Sequence, residues 1–558
     1  MMQFLDARRL TGPSLLFDSY GSILDVACSE DEAERLAPAW KKHVEHMLSE
    51  LGWNNAGFAT AKLEGGISLA FTARIDALYA ASAINEWAWS ACNHEFNGAD
   101  APDFPTALAE IRDAIAEEAN PALVELEAQA AARGVTMLWD DDEVSLGLGR
   151  HSETWPVREL PDPDTLDWDR FRDVPTALVT GTNGKTTTVR LATHILRAAG
   201  YTVGMSSTDY IAVNNQVVDR DDWSGPGGAR NVLRHKEVDA AILETARGGL
   251  LRRGLGVYAA NAAAITNIGR DHLGDFGSRS LGELMDIKWI VSRAVRDSGT
   301  LVLNADDARL VSRARDYPGT VAWFSLDPGN PVVLSHTAGG GTAFVEQDGE
   351  LVRIEGDARE PLCGAADIPI TLNGAARHNT ANALAAAALT AAMGVSMADI
   401  RRGLTTMTQD ENPGRGNVFD VDGFKVIIDF AHNPQAIAAL LDMAAAMQGK
   451  RKVLCFAQAG DRPDDLIREL ARNAWEKGLD RVIVSELAHY YRGRGPGEVY
   501  GLIKDELLRC GAREDQIEHN DEEIESFDSA LAWAQPGDLV IMLALERSPE
   551  LYDRIGAN

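Results

Sequence analysis

A chain of 558 residues is too long for one hydrophobic core and implies roughly three or four domains. Its apolar fraction of 45% and charged fraction of 25% are those of a globular protein, and a net charge of −31 argues against a nucleic-acid binder, whose surface must neutralise phosphates. No apolar run approaches the roughly 20 residues of a membrane span, and the five cysteines (Cys28, Cys92, Cys363, Cys455, Cys510) form no C-x-x-C pair, so a cytoplasmic protein with reduced thiols and no membrane association is expected.

Residues 1–154 read as an α+β unit. Gly65–Phe71 is a turn into a strand, and Ile75–Cys92 and Pro105–Gly134 are helical patterns. His43-Val44-Glu45-His46 has the residue types of a metal site, but polarity on a helix surface is the plainer reading. The stretch 155–174, rich in proline and acids, reads as a linker. From 175 to 412 short apolar runs alternate with helical patterns. The runs Ala177–Val179, Ala240–Leu243, Ala262–Thr266 and Leu301–Leu303 predict buried strands of a doubly wound parallel sheet. A β-rich insert is expected near 330–370, with a turn at Asp348-Gly349. A second, Rossmann-like α/β domain spans 413–558 and opens with Val426–Ile428. The fold class expected is α/β: a central P-loop domain and a C-terminal α/β domain, preceded by the α+β unit.

The strongest motif is Thr180-Gly-Thr-Asn-Gly-Lys-Thr-Thr-Thr188, between an apolar run and an amphipathic helix that ends at Gly200. A glycine turn at a helix start presents N–H groups and a positive dipole to phosphate, Lys185 reaches the terminal phosphates, and the Thr186 hydroxyl suits magnesium. A strict P-loop would place glycine where Val179 stands, so this is a variant. Ligands gather beyond the carboxyl ends of strands in open α/β sheets. Glu244 follows one apolar run, His272 another, and Lys288 lies on the next helix. Each alone is commonly a cap, a satisfied polar group or a solvated charge. Together, after a P-loop, they suggest a Mg-ATP site with more than one metal position.

These residues resemble the Mur ligase superfamily of ATP-dependent amide ligases over about residues 170–558. The resemblance continues through Asn267 with Asp271-His272, Asn304-Ala305-Asp306-Asp307, His378–Asn382, Pro413-Gly414-Arg415 and Asp429–Pro434. Within the superfamily, Glu244–Leu250 and Arg492–Val499 are similar to the C-terminal ligase half of the cyanophycin synthetases, and so is Leu10-Thr11-Gly12-Pro13 to their N-terminal domain. Those enzymes also carry an ATP-grasp domain, which is not expected here, where only about 170 residues precede the P-loop.

The resemblance implies that Gly181, Thr182, Asn183, Gly184, Lys185, Thr186 and Thr187 bind ATP. Thr186 and Glu244 would hold one Mg2+, and His272 and Lys288 a second, with Lys288 where many members carry a carbamylated lysine. Asn379 and Asn382 would lie near adenine; the plain alternative for His378-Asn379 is a helix N-cap region before the Ala-rich helix Ala381–Met393, and Asn379 suits both roles. Arg415 would reach phosphates from the hinge, and Asp429 and His432 would lie near nucleotide and incoming amine. From the residues themselves, Asp461-Arg462 at a strand end suits substrate contact or a turn, and the Arg492–Arg494 loop suits substrate carboxylates or plain solvation. The implied reaction activates a carboxylate acceptor as an acyl phosphate and joins it to a small-molecule amine such as arginine; a homo-oligomer is left open. The alternatives are a P-loop NTPase or phosphotransferase without amide formation, and a degenerate ligase that only binds nucleotide.

Overall fold

The computed structural model describes residues 2–63, 65–100, 102–271, 280–447 and 449–557. His272 therefore lies outside the described residues. The strand carrying the P-loop, Thr176–Thr180, sits in the middle of an eleven-stranded sheet. Parallel neighbours flank it: Ala240–Glu244 and then Val203–Ser206 on one side, and Ala260–Ile265, Val295–Asn304, Thr320–Ser325 and Thr342–Gln347 on the other. The four predicted runs are strands here. Parallel strands buried on both faces carry no polar alternation, so they stand out as short apolar runs.

The helix after the P-loop, Lys185–Ala198, buries Val189, Ala192, Ile195 and Leu196 on one face of the sheet, and Gly200 (φ 95°) takes the left-handed turn after it. The Ala-rich helix Arg377–Ala392 packs on the same face.

The predicted β insert is an extension of the central sheet. After the helix Pro331–Ala338, strand Thr342–Gln347 adds in parallel to Thr320–Ser325, and Glu350–Glu355 and Ala358–Gly364 follow antiparallel. Asp348 (φ 53°) and Gly349 (φ 82°) make the left-handed two-residue turn between Thr342–Gln347 and Glu350–Glu355.

The C-terminal sheet has six strands, and Arg415–Val421 leads it, antiparallel to Phe424–Asp429. That leading strand escaped the sequence reading because Gly416, Asn417 and Asp420 are poor strand formers, and cross-strand pairing holds it.

In the N-terminal region the antiparallel order is Gln3–Leu10, Gly21–Ala27, Gly66–Thr72, Phe58–Leu63. The first predicted helix is shifted, to Leu78–Asn97. The second is two helices, Phe104–Glu118 and Pro121–Arg133, because Pro121 lacks a backbone donor and Asn120 caps the new start through Leu123 N. The stretch read as a linker is folded: it holds single turns at Pro163–Thr165 and Trp168–Arg170, and Trp168 packs on Phe171 at 6.1 Å.

The first strand and the turn after it dock on the central domain. Arg8 Nη2 donates to Leu251 O at 3.1 Å and Thr11 N to Arg253 O at 3.0 Å, while Leu255 N donates to Pro13 O at 2.7 Å. A Cβ on Gly12 would stand 2.1 Å from Leu255 O. Only glycine allows that approach. Leu251 and Arg253 belong to the helix Arg247–Arg253, which starts three residues beyond Glu244, and Leu255 lies just past its end. Among the described residues, no helix is long and apolar enough to cross a membrane.

Candidate functional site

Val179 is fully buried within its strand, so the chain turns only at Gly181 (φ 149°). That accounts for the missing first glycine. A Cβ on Gly181 would lie 1.8 Å from Thr266 Oγ1. The neighbouring strand end shapes the rest of the loop. Asn267 accepts from Asn183 N at 2.9 Å and donates to Asn183 O at 3.0 Å, Thr266 Oγ1 donates to the same carbonyl at 2.6 Å, and Thr182 N donates to Asn267 O at 2.9 Å. Gly184 (φ 83°) precedes the first helical residue, Lys185, whose Nζ donates to Thr182 O at 3.1 Å. Thr186 and Thr187 are buried in the first turn.

Glu244 is 2% exposed and fully engaged. Thr186 Oγ1 donates to its Oε2 at 2.9 Å and Thr208 Oγ1 to its Oε1 at 2.7 Å, with Thr208 N at 3.3 Å from Oε2. Thr208 was missed in the sequence, although Ser206-Ser207-Thr208 closes an apolar strand as Glu244 does. Lys288 is also buried and donates from Nζ to Gly181 O at 2.7 Å. Burial, and then the charge of Lys185, push its pKa well below the usual lysine range, against the attraction of Asp271 and Glu244. Hydroxyl and carboxylate oxygens side by side are hard donors of the kind Mg2+ takes.

Asn382 and Asn379 have different surroundings. Asn382 Oδ1 lies 2.2 Å from the position of a Cβ on Gly184, directly against the phosphate loop. Asn379 donates to Ile370 O at 2.8 Å and accepts from Asn382 at 3.2 Å, supporting its neighbour. The helix start before them is Ala376, with no side-chain cap. Among the described residues His378 Nδ1 is buried without a hydrogen-bond partner, and burial pushes the imidazole pKa down to about 4.

The C-terminal domain meets the loop directly. Asn433, the cap of helix Pro434–Ala446, donates to Asn183 Oδ1 at 2.8 Å. His432 Nε2 lies 3.3 Å from Asp271 Oδ2, and Arg270 pairs with Asp465 at 2.8 Å and Glu469 at 3.0 Å. At the start of the C-terminal sheet, Arg415 Nη2 is 3.4 Å from both oxygens of Asp209 and its guanidinium sits over Phe430 at 4.9 Å. Asp429 has its pKa pushed up to about 6 by burial, opposed by Arg415.

The two loops left open in the sequence reading are cross-linked to each other. Arg492 pairs with Asp461 at 2.5 Å, and Arg494 with Gly460 O and Asp464, each at 2.7 Å. His43 pairs with Glu95 at 2.9 Å and His46 stacks on Phe104 at 4.3 Å, so both imidazoles face packing partners on their helix surface.

The Mur ligase middle domain family matches residues 179–390, and the family described as Mur ligase, glutamate ligase domain, matches residues 414–544. The chain belongs to the Mur ligase family. It is 35% identical to the cyanophycin synthetase of Crocosphaera subtropica over 385 residues, 68% of this chain and 44% of that protein. It is 38% identical to the cyanophycin synthetase of Synechocystis sp. over 338 residues, 60% of this chain and 38% of that protein. The matched stretch thus spans less than half of these relatives' length. The UDP-N-acetylmuramoyl-L-alanyl-D-glutamate–2,6-diaminopimelate ligase of Corynebacterium efficiens is 26% identical over 74% of this chain and 78% of that protein. Among solved structures, E. coli FolC in complex with DHPP and ADP superposes with a TM-score of 0.49 at 19% identity, over 69% of this chain and 89% of that one.

Proposed function

We propose that this protein is an ADP-forming, ATP-dependent amide ligase that joins an amino acid, arginine being the first candidate, to a carboxylate of a peptide or small-molecule acceptor. The observation that carries this reading is the buried set Thr186, Glu244 and Lys288 around the phosphate loop, with the C-terminal domain seated on that loop through Asn433. A carboxylate is a poor electrophile because oxide would have to leave. Attack of the acceptor carboxylate on the γ-phosphate of ATP gives an acyl phosphate and ADP; the amine then adds to the acyl carbon and phosphate departs. Lys185 and the loop N–H groups offset the phosphate charge, and Arg415 adds to this from the hinge. The His432 and Asn433 segment covers the loop, which keeps water from the acyl phosphate and places the amine.

Magnesium, when bound, would neutralise phosphate charge; Thr186 and Glu244 would hold one ion, and His272 with Lys288 the second. The depressed pKa of Lys288 favours its neutral amine, the form that attacks CO2 and loses a proton to give a carbamate. A carbamate offers oxygen donors where an ammonium would repel the ion. The location we assign is the cytoplasm.

A simple P-loop switch needs no second metal position, whereas Lys288 lies buried beside the loop here. The test is to add amino acids against small peptides and read ADP and phosphate release together with product mass. Release that needs both a carboxylate and an amine is expected. Full-rate turnover without amine sinks the ligase reading.

A further inference from the structure

The short turn Ser207–Tyr210 touches both ends of the nucleotide site. It leaves strand Val203–Ser206 beside Glu244 and presents two neighbouring side chains to different partners. Thr208 donates to Glu244 Oε1 at 2.7 Å. Asp209 faces the hinge, where its Oδ2 pairs with Arg190 at 2.6 Å and both its oxygens lie 3.4 Å from Arg415 Nη2. Arg190, its side chain 3% exposed, also donates to Asn412 Oδ1 at 3.2 Å and Pro413 O at 3.1 Å. Gly414 (φ 73°) and Gly416 (φ 74°) flank Arg415, so the hinge backbone turns in the left-handed region on either side of that arginine. The turn is held as a unit: Ser207 Oγ accepts from Asp209 N at 3.3 Å and Tyr210 N at 3.2 Å, and Ser207 N donates to Tyr210 O at 3.0 Å.

We propose that this turn couples metal–nucleotide occupancy at Glu244 to release of the hinge arginine, with Asp209 as the positioning residue that holds Arg415 until then; this rests on the nucleotide-site reading above. The physical reason is competition for lone pairs. The Glu244 oxygens already accept from Thr186 and Thr208, and a divalent cation drawing on them weakens the hold of Thr208. A turn fixed by Ser207 then moves Thr208 and Asp209 together. Asp209 serves two guanidiniums unequally: the short pair to the buried Arg190 is kept, and the longer contact to Arg415 yields. Arg415 exchanges one anion for another, carboxylate for phosphate. Such coupling is reciprocal, so nucleotide phosphates that engage Arg415 also favour the metal at Glu244.

The test uses the full chain, AMPPNP as probe, and calorimetric affinities with and without Mg2+. In the parent, Mg2+ tightens AMPPNP binding. In Asp209→Asn that enhancement falls about fivefold, because Arg415 is already released, and metal-free AMPPNP binds about fivefold tighter. A merely loosened turn would weaken metal-free binding instead. Arg415→Ala loses the same enhancement without the metal-free gain, and the double variant matches Arg415→Ala. Losses that multiply in the double variant, or metal-free affinity that falls in Asp209→Asn, overturn the coupling. Thr208→Val leaves the Arg190 pair intact and runs in the same cycle with the same two outcomes, so poor folding of Asp209→Asn does not remove the test. A parent that binds no AMPPNP overturns the nucleotide-site reading itself, an outcome distinct from additive losses.

Discussion

Asn382 Oδ1 occupies the space into which a side chain on Gly184 would grow, 2.2 Å from the position of its Cβ. The two residues stand 198 positions apart, yet the helix Arg377–Ala392 delivers one onto the other. The phosphate loop is thus shaped from outside as well as by its own glycines.

Gly184→Ala meets two obstacles, the left-handed φ of 83° and the Asn382 carbonyl. The backbone strain alone is about 1–2 kcal/mol. Mg-ADP affinity should fall at least about tenfold by calorimetry, the strain and the collision acting together. Equal affinity in the parent and Gly184→Ala would show that the loop adapts freely.

Lys288 lies buried against Gly181 O with its pKa held far down. Lys288→Ala should abolish amine-dependent ADP release. Added bicarbonate should not restore it, because no amine is left to carry the carbamate, whereas short carboxylates such as acetate should restore part by supplying oxygens. Unchanged turnover in the variant removes the carbamate from the account.

The His378 imidazole titrates at about 4 in the fold against 6.5 in its ordinary state. As pH falls from 6.5 toward 4, the unfolded chain takes up a proton that the folded chain refuses. Stability therefore declines over that window and is untouched above it. His378→Leu removes this contribution. The stability difference between variant and parent should shift in favour of the variant by about 3 kcal/mol between pH 7 and pH 4, read by denaturant unfolding at each pH. A flat difference would mean that the imidazole is protonated in place.

What the sequence disclosed follows from what is local. The strands at 177–179, 240–243, 262–266 and 301–303 are apolar runs with abrupt ends, and Lys185 and Glu244 sit at such ends, so position along the chain already located them. Thr208, Asp209 and Arg190 were not legible. Their importance comes from contacts made by topology: Asp209 meets Arg415 across 206 residues, and nothing near either one announces the other. The break at Pro121 was legible in principle, since proline after asparagine is a helix-start signal, but the alanine-rich pattern on either side masked it. The leading strand at 415–421 is held by its partner, which no propensity within it reports.

The grip of Arg8 and Thr11 on the carbonyls of Leu251 and Arg253 has a consequence for modularity. By sequence, the ligase half can be cut free just ahead of the P-loop. In three dimensions that cut strips the end of the short helix that starts beside Glu244, leaving two carbonyls without donors and Gly254 facing solvent where Gly12 and Pro13 had packed. A fragment beginning at Val174 should be a poorer nucleotide binder than the whole chain, though it keeps every residue of the phosphate loop. The opening residues are in this sense the far wall of a site whose near wall lies more than 170 positions downstream.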